Sequence, residues 1–366
     1  PIKSSAASDV YKRQVKRFAG RIIFINFAPM KTLVAVLIAA VVMVSCGRTT
    51  PGRRVFTVER INGMTPVKDQ GRGSLCWVYA MLATIETDRL AIGDSVNLSP
   101  AYVARSVLGG LVEQRYLTQG EVDVRADGVA PMLLSALAEY GAMPYDAYRS
   151  ECNYDVLCRK LNVLADQAVR QRVGIKRLRD KTAYVLDTAV NPVPRRVWMH
   201  GMEYSMQEFA RSLCSPADYV AVTSYTHEPF YEKVALDLPA NREGCKFYNV
   251  PVDTLVSRVE KALRLGNGVC WEGDVTNDGF SFEDGVACLD NEGVTVTQDM
   301  RQRAFERFSV TDDHCMELVG LARDQAGRRY FVCKNSWGTD NPYGGLMYMS
   351  LGYFRLNTVA VVMKKI

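Results

Sequence analysis

The chain has 366 residues, of which 48% are hydrophobic and 23% charged, a composition typical of a globular protein with one or two packed domains. Its formal charge of +5 comes from 45 basic and 40 acidic residues, and residues 1–29 alone carry six basic side chains against one acid. The rest of the chain is therefore neutral overall, which excludes a strongly basic folded domain. We expect no binding to nucleic acid.

An apolar run at 33–44 predicts a secretory signal, because it is too short for the ~20 residues that a membrane-spanning helix needs. Ser45 and Cys46 follow it and resemble a bacterial lipoprotein processing site, at which Cys46 is lipidated and becomes the mature N-terminus; a plain signal peptide is the alternative. We expect an exported protein of the bacterial cell envelope, anchored to the membrane through lipid on Cys46 and facing the periplasm or the exterior. The chain then divides into residues 1–29, which are not part of the native protein, a lipoprotein-type signal peptide at 30–45, a tether at 46–54 and a folded body at 55–366.

Ten cysteines occur in the chain, and export would allow disulfides among them. Cys152 and Cys158 are the favoured local pair, and the connectivity of the others stays open. The chain has no Cys-x-x-Cys pair and only three histidines, so we predict no metal and no cofactor.

A helix is predicted to begin at Cys76, where apolar side chains surround the helix axis as far as Glu86 and indicate burial. A second helix is predicted at 131–140, with Gly141 as its C-cap. Residues 145–250 are then predicted to form a mainly helical insertion, because charged helical stretches and a candidate capping box at 205–208 occur there.

The last hundred residues change from helix to strand. A helix is predicted at 252–265, with Asp253 bonding to its free amides. Beyond it, short apolar or alternating runs are separated by Gly, Asp and Asn turns, which predicts an antiparallel sheet or barrel. These runs are 268–272, 317–322, 329–334 and 346–350.

A Gly-rich loop leads directly into the helix that begins at Cys76, which places this thiol at a helix N-terminus. Free amides and the helix dipole stabilise an anion there, so the thiol ionises more easily and becomes a better nucleophile. The side-chain amide of Gln70 and the backbone amide of Cys76 can converge on the oxyanion that forms when a carbonyl is attacked. Gln70 is therefore the candidate oxyanion donor.

Two later segments supply the partners that a nucleophilic thiol needs. His314 enters one predicted strand, and Asn335 and Trp337 follow another. The imidazole can take the thiol proton and return it to a leaving amine, and the neutral amide of Asn335 can orient the ring. Trp337 can cover that hydrogen bond and keep water from it.

Together these three blocks resemble the signature of papain-like cysteine peptidases: Gln-Gly-x-Gly-Ser-x-Cys-Trp at 70–77, Asp-His-x-Met at 313–316 and Lys-Asn-Ser-Trp-Gly at 334–338. The chain is also similar to the bleomycin hydrolase and aminopeptidase C branch of that group. Further segments carry this second resemblance, at 98–100, 225–231, 248–251 and 270–275. The resemblance implies an α+β papain-like fold of two domains, a helical left domain and a β-rich right domain, with the helical insertion added.

The chain departs from that pattern in three respects. His314 lies 238 residues beyond Cys76, against ~130 to 150 in simple papain-type enzymes, a difference that the insertion explains. Gly73 stands where papain-like enzymes usually carry a structural cysteine. The branch carries a C-terminal arm that limits it to free N-termini, whereas this sequence reaches Ile366 soon after its last predicted strand, so endopeptidase and aminopeptidase action both stay open.

We therefore expect thiol-dependent hydrolysis of peptide bonds through an acyl-enzyme on Cys76, with His314 as base and acid, Asn335 as its orienting partner and Gln70 in the oxyanion hole. Trp77 and Trp337 are the expected supporting residues. Expected partners are a peptide or protein substrate, the membrane through Cys46 and a homo-oligomer such as the branch forms. The alternative is a lipid-anchored, peptide-binding scaffold of the same fold without turnover.

Overall fold

The fold was examined in a computed structural model, in which residues 54–199 and 201–366 are described. Cys46, the predicted signal peptide and most of the tether lie outside the described residues. The helices are α1 (Cys76–Leu90), α2 (Pro100–Leu117), α3 (Pro131–Tyr140), α4 (Tyr154–Arg170), α5 (Ile175–Ala189), α6 (Met206–Leu213), α7 (Val252–Arg264), α8 (Gln298–Glu306) and α9 (Leu351–Asn357). Within the described residues, none of the helices is long and apolar enough to cross a membrane.

Most of the strands belong to one large sheet. The strands are β1 (Phe56–Ile61), β2 (Val197–Met199), β3 (Met202–Tyr204), β4 (Tyr219–Thr223), β5 (Lys233–Ala235), β6 (Lys246–Asn249), β7 (Val269–Gly273), β8 (Phe280–Ser281), β9 (Val286–Ala287), β10 (His314–Asp324), β11 (Arg329–Lys334), β12 (Leu346–Ser350) and β13 (Thr358–Lys364). The sheet order is β5-β6-β4-β13-β7-β10-β11-β12-β9-β8, with β1 paired to β10 and β2 paired to β3 separately. Segregated helices and a mainly antiparallel sheet confirm the predicted α+β class.

The two faces of the sheet carry different cores, because successive side chains of a strand point to opposite faces. On β7, Cys270 joins a large core that the helices α1 to α5 share, whereas Trp271 joins the core beneath α7 and α9. On β10, Cys315 lies in the helical core and Met316 in the other. The central strands thus connect the helical half of the molecule to the sheet half.

Buried charges hold α1 and the loop before it. The Glu86 carboxylate of α1 is fully buried and bonds to Lys68 Nζ at 2.8 and 3.0 Å, to the Leu98 amide at 2.6 Å and to Thr65. Lys334 on β11 donates to the same Thr65 hydroxyl at 2.9 Å. Because each charge has partners, its loss of hydration is offset, and the network links the loop, α1 and the sheet.

Several predicted elements agree closely with the structure. The helix at 131–140 has the predicted limits and ends at Gly141, whose φ of 89° favours glycine. The capping box of Ser205 and Glu208 is present at the start of α6. The N-cap of α7 is Pro251, and Asp253 lies in the first turn, where its carboxylate pairs with Arg355 instead of capping the helix.

The helical character predicted for 145–250 extends only to Leu213, so that part of the prediction is wrong. The segment from Tyr219 to Asn249 contributes β4, β5 and β6 to the main sheet, where β4 pairs with β13 and β6. The strands are only three to five residues long, and β4 pairs with β13, β6 with β4 and β5 with β6, so pairing with neighbouring strands stabilises them.

The favoured bridge between Cys152 and Cys158 is also absent from the structure, in which both residues are free cysteines. Cys158 lies on the buried face of α4 within the helical core, whereas Cys152 precedes the helix and is half-buried.

Candidate active site

Cys76 is the first residue of α1 and retains slight exposure, at 9%. The preceding residue, Leu75, provides no side-chain cap, so the first amides of the helix have no side-chain acceptor from that position. Unsatisfied amides and the positive end of the helix dipole favour an anion there. The local structure is therefore the one that stabilises a thiolate.

Two neighbours on β10 act on the Cys76 thiol. Hydrogen bonding from the Cys315 thiol, followed by hydrogen bonding and charge interaction with His314, lowers the pKa of Cys76 well below its usual value, although burial opposes this. In the sheet, His314 lies opposite Gly273 and Cys315 lies opposite Glu272. The start of β10 thus brings a base and a second thiol to the helix N-terminus.

His314 contacts Asn335, the residue that the sequence predicts as its partner. The His314 Nε2 and Asn335 Oδ1 atoms are 2.8 Å apart, and both side chains are buried. Asn335 Oδ1 also accepts from the Ser336 amide at 2.7 Å, so it is an acceptor and the proton lies on His314 Nε2. His314 Nδ1 is then the ring nitrogen left to exchange a proton with Cys76.

Trp337 lies against the His314 ring, with ring centroids 4.6 Å apart and planes inclined at 40°. Phe280 and Phe282 pack edge-on against the same indole at 5.7 and 5.5 Å. This aromatic cluster covers the His314–Asn335 pair, where exclusion of water strengthens a hydrogen bond.

Gln70 connects the loop before α1 to the segment that follows β11. Its backbone amide donates to the Ser336 carbonyl at 2.8 Å, and its side-chain Oε1 accepts from the Ser336 hydroxyl at 2.6 Å. The side-chain Nε2 donates to the Gly73 carbonyl at 2.9 Å. Donation to a substrate oxyanion would require this amide to share or exchange its bond to Gly73.

Trp77 follows Cys76 on α1 and is buried in the helical core. Its indole Nε1 donates to the Ala126 carbonyl at 2.9 Å. A side chain at Gly128 would place its Cβ 2.9 Å from the Trp77 ring, so glycine is required for this close approach. Trp77 thereby fixes the segment that runs from Ala126 into α3.

Four residues at the site were not among the predicted site residues: Ser336, Cys315, Glu272 and Asp312. Ser336 lies within the Lys-Asn-Ser-Trp-Gly block and could have been found there. Glu272 had a signal in the sequence, as an acid inside an otherwise apolar strand. The interaction between Cys315 and Cys76 depends on how β10 meets α1, which no local pattern discloses.

Other polar residues that the sequence left open have structural partners. Asp274 accepts from the Thr276 and Thr311 amides at 2.8 and 2.9 Å and holds the turns that precede β10. His227 bonds to Gln302 at 2.9 Å and stacks on Phe305. His200 lies outside the described residues.

Comparison with known proteins extends these observations. Residues 202–366 match the model of the Peptidase C1-like family, a segment that includes His314 and Asn335 and begins beyond Cys76. PepW from Lactobacillus rhamnosis HN001 has a similar fold, with a TM-score of 0.65 at 16% identity over 100% of this chain and 92% of that one. No curated protein sequence matches the chain.

Two further solved structures resemble the chain at lower TM-scores. The bromelain protease from Ananas comosus in complex with the E64 inhibitor gives 0.39 at 12% identity, covering 81% of this chain and 92% of its own. Digestive procathepsin L 3 of Tenebrio molitor larval midgut gives 0.41 at 14% identity, covering 87% and 72%. The C-terminal part of the chain, residues 202–366, is thus similar to the Peptidase C1-like family, and the chain as a whole shares its fold with PepW.

Proposed function

We propose that this protein is a papain-like cysteine peptidase in which Cys76 is the nucleophile and His314 the general base and acid, with hydrolysis proceeding through an acyl-enzyme. The observation that carries the proposal is the arrangement at the N-terminus of α1. There, His314 and Cys315 lower the pKa of the Cys76 thiol, and Asn335 holds the His314 ring through Nε2. A thiolate that faces an oriented imidazole is the arrangement that acyl transfer needs.

In the first half of the reaction, the Cys76 thiolate attacks the peptide carbonyl and forms a carbon–sulfur bond. The oxyanion that develops is stabilised by the backbone amide of Cys76 and, after exchange of its bond to Gly73, by the side-chain amide of Gln70. The carbon–nitrogen bond then breaks, and the proton that His314 holds passes to the leaving amine. The product of this half is a thioester on Cys76.

In the second half, a water molecule gives a proton to His314 and attacks the thioester carbonyl. The carbon–sulfur bond breaks, the acid product leaves and Cys76 returns as a thiolate beside the protonated imidazole. Asn335 keeps the ring in one orientation through both halves, and Trp337 shields their hydrogen bond from water. The motifs similar to the bleomycin hydrolase and aminopeptidase C branch support removal of N-terminal residues, and cleavage within chains is the competing mode.

The test is mass spectrometry of a mixed peptide pool incubated, in reductant, with the wild-type protein and in parallel with Cys76→Ala. We expect cleavage by the wild type and a loss of at least 10³-fold in the variant, because the covalent step is removed. Internal cuts would identify an endopeptidase, and single residues released from free N-termini would identify an aminopeptidase. Equal cleavage by both proteins would contradict the assignment of Cys76.

A non-hydrolytic, peptide-binding protein is distinguished in the same experiment. It predicts no cleavage by either protein and no faster alkylation of Cys76 than of an ordinary thiol. Circular dichroism of Cys76→Ala provides the folding control.

A further inference from the structure

Two acidic residues occur close to the start of β10, one on the neighbouring strand β7 and one just before β10. Glu272 on β7 is the register partner of Cys315 on β10, and Cys315 interacts with the Cys76 thiol. Asp312 lies two residues before His314, just ahead of β10. Neither acid takes part in the steps proposed above.

Glu272 is fully buried, and only one of its carboxylate oxygens is satisfied by the backbone. The Ala130 amide, at the entry to α3, donates to Glu272 Oε1. Within the part of the chain that the structure describes, Glu272 Oε2 has no hydrogen-bond partner. A buried polar oxygen without a partner is costly, since its hydration is lost without replacement.

Asp312 is half-buried, and the charged groups that interact most strongly with its carboxyl group disfavour a negative charge there. They are Glu272, Cys76, Asp313 and Asp127. Among the described residues, neither Asp312 nor Glu272 forms an ion pair. The Arg242 guanidinium donates to the backbone carbonyl of Asp127, one of these acidic residues.

We propose that Glu272 and Asp312 form an acidic subsite beside Cys76 that binds a cationic group of the substrate. The group is either the free α-ammonium of a peptide or the side chain of a lysine or arginine near the scissile bond. A cation supplies the donors that Glu272 Oε2 lacks, and hydrogen bonds between charged partners are the strong ones. The inference rests on the proposed peptide hydrolysis and specifies its substrate class.

The protonation of the empty subsite agrees with this assignment. Burial raises the pKa of Glu272 to about 8, and burial together with Glu272 raises the pKa of Asp312 well above its usual value. Without a cation, Glu272 therefore holds a proton at neutral pH, and ionisation of Asp312 is disfavoured. A bound ammonium or guanidinium would displace those protons and leave the carboxylates ionised.

The experiment compares matched fluorogenic peptides with the full chain in reductant. One arm uses Nα-acetylated peptides in which lysine replaces norleucine at either of the two residues before the scissile bond. The other arm compares a free with an acetylated N-terminus on the norleucine peptide. In each arm the two peptides differ by one positive charge and have nearly the same shape. Together the arms distinguish an α-ammonium from a basic side chain as the cation that binds.

For wild type we expect kcat/KM to favour the cationic member of at least one pair by about 10- to 100-fold, the range that a charge-assisted hydrogen bond supplies. Glu272→Gln and Asp312→Asn should each bring that ratio to within about threefold of one. Glu121→Gln removes an exposed acid elsewhere and should leave every ratio unchanged.

The proposal would be overturned if wild type showed equal kcat/KM for the cationic and neutral peptides of every pair. It would also be overturned if both variants kept the wild-type preference for the cationic peptide. Calorimetry with the same peptides and Cys76→Ala measures the affinity of the subsite for each peptide without turnover. Tighter binding of the cationic member there supports the subsite even if wild type cleaves no peptide, and equal binding overturns it. Failure of hydrolysis and failure of the subsite are thus separate results.

Discussion

Cys315 places a second thiol beside the nucleophile, and its influence on Cys76 is measurable. Hydrogen bonding from Cys315 is the largest of the effects that lower the pKa of Cys76, so Cys315→Ala should raise that pKa. Alkylation of Cys76 by iodoacetamide at pH 6 should then slow by about 3- to 10-fold, the range expected for one hydrogen bond. The rate is followed by mass spectrometry of the peptide that contains Cys76.

The matched control is Cys333→Ala, which removes a thiol buried on β11 opposite Leu318. It should leave the alkylation rate of Cys76 unchanged. If Cys315→Ala also leaves the rate unchanged, the thiolate depends on His314 and the helix terminus alone.

Single residues show which parts of the site the sequence could predict. Cys76, His314 and Asn335 lie in sequence motifs whose residue types indicate the role expected of each. The structure brings all three residues together. For Cys315 and Cys333 the sequence allowed core thiols or a cross-strand bridge. Register excludes the bridge, because Cys333 lies opposite Leu318, and register depends on pairing between distant strands.

Helix α1 is held close to the segment before α3 by a contact that tolerates no added atom. A Cβ at Gly128 would lie 2.9 to 3.2 Å from three atoms of the Trp77 ring, so Gly128→Ala should destabilise the fold by about 1 to 3 kcal/mol. Urea denaturation followed by tryptophan fluorescence measures this change.

Gly109→Ala is the control for that substitution. Gly109 lies inside α2, and its added Cβ would meet Leu186 at 3.5 Å, an ordinary contact. Because alanine favours a helix over glycine, this variant should be as stable as wild type or more stable by up to about 1 kcal/mol. Equal effects of the two substitutions would show that the Trp77 contact is not tight.

Elements with strong local signals were predictable, and those that depend on distant partners were not. The helix at 131–140 has proline at its start and glycine at its end, and its predicted limits agree with the structure. Strands β4 to β6 were missed because they are short and follow three helices in the chain. The apolar run Tyr219–Thr223 was the one local signal of a strand there.

At the scale of the whole molecule, buried carboxyls make stability depend on pH. Burial raises the pKa of Glu272 to about 8, of Glu317 to about 7 and of Asp88 to about 6. The folded protein therefore binds more protons than the unfolded chain between pH ~4.5 and 8, and its free energy of unfolding falls as pH rises through that window. We expect a loss of about 2 to 5 kcal/mol from pH 5 to pH 8.

Urea denaturation of Cys76→Ala at both pH values measures the loss without self-digestion. Glu317→Gln should make the dependence shallower, because that side chain no longer titrates. A free energy of unfolding that stays constant or rises towards pH 8 would contradict the assignment of these carboxyls.

The pairing of β1 with β10 joins Phe56 to Asp324, and β7 is bordered by strands from the last part of the chain. During synthesis at ~5 to 20 residues per second, Cys76 is made roughly 10 to 50 seconds before His314. If Cys76 and His314 act as proposed, a nascent chain carries the thiol without its base, and proteolysis can begin only after β10 has paired with β7 and β1.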